Sequence, residues 1–92
     1  MKGTTSSGFK FNVNEKIAGD YRLQKVMTAY EKGDDTAKVC AMTEMVNLLL
    51  GDKGEAALCE HVKEADGTVP TAKIMQEVTE IFNIMKDDVK NF

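Results

Sequence analysis

The chain has no tryptophan, one proline, one histidine and two cysteines among its 92 residues, and no long apolar run. Each scarcity argues against a class of protein. No stretch approaches membrane-spanning length, and Gly3 to Gly8, which follow Met1-Lys2, are small or polar. The reading is therefore a protein without a signal peptide or membrane span, resident in the cytoplasm. A structural zinc site needs four ligands at recognisable spacing. Cys59-Glu60-His61 puts two soft ligands close together, but Cys40 is the only further candidate. A Cys59–His61 nucleophile pair fails as well, because residues two apart on a helix point roughly 200° apart.

Lys and Arg form no cluster and no stripe interleaved with aromatics, which disfavours nucleic acid. Gly51, Gly54 and Gly67 lack phosphate-loop spacing. Asp52-Lys53-Gly54-Glu55 lacks the alternating oxygen ligands of a calcium loop, so Glu55, Glu60, Glu64 and Asp66 read as a solvated helix face. The expectation is a protein with no catalytic residue, no cofactor and no metal, which works by binding other proteins.

What is present fits an ordinary globular chain: 42% of residues are hydrophobic and 29% charged. The length suits one domain and is near the lower limit at which buried apolar surface outweighs chain entropy. Six methionines supply adaptable apolar surface, for an irregular core or for a contact face that repacks. Cys40 and Cys59 lie within apolar helical patterns and read as reduced, buried thiols. Charge is uneven. Residues 9–32 hold five basic and three acidic side chains, and residues 33–69 hold three basic and eight acidic ones. Such a chain can stack head to tail on its own copies, or the imbalance is two solvated helix faces.

The predicted fold is mainly α, a bundle of about four helices after a short N-terminal strand or extended arm. Residues 1–8 read as a disordered tail and residues 9–92 as a single helical domain. Phe9, Phe11 and Val13 alternate with polar residues and share one strand face. That strand pairs with another copy, a partner or a second strand that the sequence does not mark; alternatively, an arm packs both Phe rings onto the helices.

Asn14 caps a short turn ended by Gly19. Asp20 caps a helix to about Glu31, with Leu23, Val26, Met27 and Tyr30 on one stripe and Gly33 as its C′ residue. Asp34 or Asp35 caps a helix that stops at Gly51, and its apolar set (Val39 to Ala41, Met42, Met45, Val46, Leu48 to Leu50) exceeds one stripe. A third helix runs from Asp52 to about Ala65, with Ala57, Leu58, His61 and Val62 inward. After an Asp66-Gly67 turn, Pro70 near N1 opens the last helix, striped by Ile74, Val78, Ile81, Met85 and Val89 and flanked by Met75, Phe82 and Phe92.

The ordered series Gly8-Phe9-Lys10-Phe11-Asn12-Val13-Asn14-Glu15, a helix opening at Asp20, Leu48-Leu49-Leu50-Gly51, Leu58 with His61-Val62, Asp66-Gly67-Thr68-Val69-Pro70 and Glu80-Ile81-Phe82 resembles the tail assembly chaperones of bacteriophages with long, non-contractile tails. The resemblance runs from Gly8 to the last residue. It implies a helical phage or prophage protein of the host cytoplasm that self-associates into rings or spirals. Such a protein coats and solubilises the tape measure protein, helps recruit tail tube protein, and is absent from the mature virion. Many members are made in two lengths by frameshifting, and this chain would be the short form. The family has no catalytic residues to carry over.

On that reading, Phe9, Phe11, Met42, Met45, Leu48, Phe82 and Met85 are candidate residues of subunit or tape measure contacts. The alternative is that they fill the core, which is the preferred reading for Val46 and Leu49. Rival functions are a small helical adaptor or regulator of one protein partner, and a structural phage protein such as a head–tail connector.

Overall fold

A computed structural model describes residues 1–90, with side chains for residues 1–85. Two short strands, β1 (Lys2–Thr4) and β2 (Lys10–Asn12), are followed by a 3-10 turn over Glu15–Gly19 and three helices: α1 (Tyr21–Lys32), α2 (Asp35–Val62) and α3 (Thr71–Lys90). Among the described residues the protein is mainly helical, with three helices rather than about four, the longest being two helical arms joined across Gly51. The expected stop at Gly51 is a kink inside α2, where the backbone takes φ 72° and ψ 174°. That conformation is essentially restricted to glycine, so Gly51 lets one helix turn a corner. Asn47 Nδ2 donates to Asp52 Oδ1 across the bend at 2.8 Å and braces the two arms.

The segment expected to be a disordered tail is one strand and the turn of a hairpin. β1 pairs antiparallel with β2 in the register Lys2–Asn12, Gly3–Phe11 and Thr4–Lys10. The missing strand was therefore in the tail itself. Its small and polar residues show no apolar alternation because Phe9, Phe11 and Val13 of the second strand segment supply most of the buried apolar face, with only Met1 packing on the core from the first. Gly3 is required by contact: a Cβ there would lie 2.6 Å from Cζ of Phe11.

Several local expectations hold. Asn14 caps the 3-10 turn by accepting from Lys16 N–H, Asp20 caps α1 through Arg22 N–H, and Asp34 caps α2 through Ala37 N–H. Others shift. Gly33 ends α1 in an extended conformation (φ −83°, ψ 160°) rather than as a left-handed C′ residue. α2 ends at Val62 instead of about Ala65, and Pro70 precedes the first helical residue of α3.

The helices α1 and α3 and the strand β2 all pack on α2. The core joins Phe9, Phe11, Val13 and Ile17 to Leu23 and Val26 of α1. From α2 come Ala41, Met42, Met45, Val46 and Leu49 on the first arm and Leu58 and Val62 on the second. Val78, Ile81 and Met85 of α3 close it, as the amphipathic pattern predicted. Val89 and Phe92 of that pattern lie outside the described side chains. The expected burial of other residues does not hold: Cys40, Val39, Ala57 and His61 are exposed, and Cys59 is half-buried. α2 has more apolar residues than neighbours to cover them, so the remainder faces outward.

Leu58 is fully buried on the arm beyond the kink. Leu58→Ala is expected to cost about 2–5 kcal/mol by leaving a cavity, read from urea unfolding. Gly51→Ala is expected to cost about 1–3 kcal/mol through backbone strain alone, since a Cβ at Gly51 meets open space.

Candidate protein-binding clefts

Helix α1 forms a ridge because only one stripe of it is buried. Leu23 and Val26 point into the core, and Met27 and Tyr30 lie half-buried beside them. Concavities open on both flanks. On one side, a groove of about 880 Å3 runs between α1 and α2 over Val26, Ala29 and Leu48. Arg22 and Lys25 line it from α1, and Glu44 and Glu55 from the two arms of α2. Tyr21 stands at its mouth, 77% exposed.

On the other side, a smaller cleft of about 170 Å3 lies between α1 and α3 over α2. Met42 and Met45 form its floor, with Met27, Tyr30, Val78 and Phe82 around them. Thioether side chains rotate freely and tolerate many apolar shapes, so this cleft can widen at little packing cost. The ammonium of Lys38 sits 5.6 Å from the centre of the Tyr30 ring and steadies that rim.

The seven interface candidates divide unevenly. Phe9, Phe11, Met42, Met45 and Met85 are buried in the core of one chain, so they offer little free surface. The core-filling reading kept for Val46 and Leu49 covers these five as well. The physical reason is that the hairpin, α1 and α3 all pack on α2 and enclose these side chains in one core. Leu48 and Phe82 are half-buried, in the groove and the cleft respectively. Met27, Tyr30 and Tyr21 were not singled out as contacts, although their place on α1 was marked by its stripe and its cap. Exposure of Tyr21 follows from its position directly after Asp20, on the flank away from Leu23 and Val26.

A polar cluster sits where the hairpin turn meets α2 and α3. Ser7 Oγ donates to Glu77 Oε1 and lies 3.0 Å from His61 Nε2 and 3.2 Å from Thr5 Oγ1. Ser7 has one proton, so with that proton on Glu77 the imidazole donates through Nε2–H. This is the reverse of nucleophile activation, in which the imidazole takes the serine proton and a carboxylate holds its other nitrogen. The His61 ring also rests against Phe9, with centroids 5.4 Å apart. Among the described residues, no group of three or more His, Cys, Asp or Glu side chains could hold a metal, and no helix is long and apolar enough to cross a membrane.

Comparison with known proteins finds no match: no family model, no curated protein and no solved structure is similar to this chain.

Two carboxylates titrate low. The guanidinium of Arg22 bonds both oxygens of Asp20 (3.1 and 2.8 Å) and its backbone N–H bonds the same carboxylate, holding it below the usual range. The backbone N–H and then the hydroxyl of Thr68 do the same for Asp66. A depressed folded-state value means the stabilisation is present above the ordinary carboxylate value of about 3.9 and is lost as pH falls through the folded-state value. In an NMR titration, both carboxyls should show midpoints below that of an unfolded aspartate. Arg22→Gln should raise the midpoint of Asp20 and leave that of Asp66 unchanged.

Proposed function

We propose that this chain is a tail assembly chaperone of a bacteriophage with a long, non-contractile tail, one that binds and solubilises helical segments of the tape measure protein. The observation that carries this reading is the methionine-rich cleft between α1 and α3. A client that is long, helical and apolar on one side presents many different side chains in succession. A site that accepts them all must adapt rather than discriminate, and Met27, Met42 and Met45 around Tyr30 and Phe82 have the chemistry for that. The mainly helical fold and the resemblance that begins at Gly8 support the same reading.

The contact surface in this proposal is the rim of the cleft. Met27, Tyr30 and Phe82 are half-buried and reachable, whereas Met42 and Met45 act as a deformable floor. Self-association uses the uneven charge, the basic N-terminal third of one copy against the acidic middle of the next. Recruitment of tail tube subunits, residence in the host cytoplasm and absence from the virion belong to the same proposal, as does the lack of an enzymatic activity.

A second reading has its own support. The larger groove sets Arg22 and Lys25 opposite Glu44 and Glu55 across an apolar floor, and an exposed Tyr21 guards its entrance. Aromatic anchors beside complementary charge suit a single, specific helix, as an adaptor would bind. An adaptor stays a fixed monomer or dimer, whereas the chaperone polymerises as its concentration rises.

Co-expression with a tape measure fragment should raise the fragment's soluble yield. Met27→Glu and Phe82→Glu should each abolish that rescue and weaken binding at least tenfold, with the circular dichroism spectrum kept. If both variants rescue the fragment as the parent does, the cleft is not the binding site.

A further inference from the structure

We propose that the Thr5–Gly8 turn is a releasable strap over α3, that the buried carboxylate of Glu77 is its weak point, and that release opens the methionine-rich cleft. The part concerning the cleft rests on the reading that the cleft receives a client helix; the strap itself does not.

Among the described residues, Thr5 and Glu77 are the buried polar side chains. Thr5 is well supplied, because its hydroxyl accepts from Phe9 N–H and lies beside Ser7 Oγ. Glu77 is not. It is 6% exposed, its Oε1 accepts from Ser7 alone, and its Oε2 is buried with no partner among the described residues. A buried carboxylate normally takes several donors, and one with a single donor destabilises the state that buries it. An apolar side chain of similar size at that position would hold α3 more firmly.

The rest of the strap is exposed and easily parted. Glu80, one turn along α3, accepts from the backbone N–H of Ser6 at 2.5 Å and from its hydroxyl at 3.0 Å. His61 adds its bond to Ser7 and its contact with Phe9. These bonds all lie at the surface, where water replaces them at little cost.

Glu77 and Glu80 grip the turn from one side of α3, while Val78, Thr79 and Phe82 line the cleft from the other. Among the described residues, α3 also packs on α2 less extensively than α1 does. Movement of α3 is therefore the variable that strap and cleft share. Leaving Glu77 under-supplied keeps the closed arrangement from becoming too stable, so that a client helix can displace α3.

The test compares Ser7→Ala, Glu77→Met and the double variant by amide hydrogen exchange of residues 72–85 and by uptake of the apolar dye 1-anilinonaphthalene-8-sulfonate. Ser7→Ala strips Glu77 of its donor, so α3 should exchange at least tenfold faster while α1 is unchanged, and dye uptake should rise. Glu77→Met removes the buried, under-supplied carboxyl group and should slow α3 exchange and lower dye uptake; because it is expected to be the more stable protein, loss of fold in the other variant would not end the test. In the Glu77→Met background, Ser7→Ala should have no further effect.

Wild-type exchange in the Ser7→Ala variant, or an equal acceleration with and without Glu77, overturns the strap. Exchange that responds while dye uptake does not leaves the strap standing and overturns its link to the cleft. Failure of tape measure rescue, measured separately in the parent protein, removes the function without touching the exchange result.

Discussion

The packing of α1, α3 and β2 against α2 is the contact on which the rest of this molecule depends. In a chain of this length no second core is available, so one helix has to offer apolar surface in several directions. α2 does so with Ala41, Met42, Met45, Val46 and Leu49 on its first arm and Leu58 and Val62 on its second. The bend at Gly51 points the two arms at different partners.

The clefts are consequences of that arrangement. Two helices laid on a third leave furrows wherever they do not touch each other, and α1 has one on each flank. Methionine makes one of these furrows soft, because its side chain fills space without committing to a single shape. The other keeps charged walls of opposite sign around a narrow apolar floor. Protein binding is thus the common property of both proposed readings, and they differ in whether the site has to adapt or to choose.

Local chemistry was the most legible part of the sequence. Asn14, Asp20 and Asp34 act as caps because a short polar side chain before a helical run can reach back only to the first free N–H groups, whatever packs around it. The alternation of Phe9, Phe11 and Val13 and the stripe Val78, Ile81, Met85 were equally clear, since their periods are those of a strand and a helix. The pairing of Lys2–Thr4 was hidden: backbone groups make it, and the one side-chain clue was a glycine opposite a phenylalanine. At the candidate site, Leu48 and Phe82 were found from their apolar character. Met27 and Tyr30 passed as ordinary members of a stripe, because a pattern cannot say where a stripe runs out of neighbours.

From the sequence alone came the helical class, the caps and the break at Gly51, all of which depend on residues close together in the chain. Tertiary structure decided which apolar residues are covered and which are left at a rim. It buried Phe9, Phe11, Met42, Met45 and Met85, left Tyr21 and Val39 in solvent, and brought Ser7, His61 and Glu77 together from three distant segments. Burial depends on what approaches from elsewhere in the chain, and hydrophobic periodicity carries no record of that.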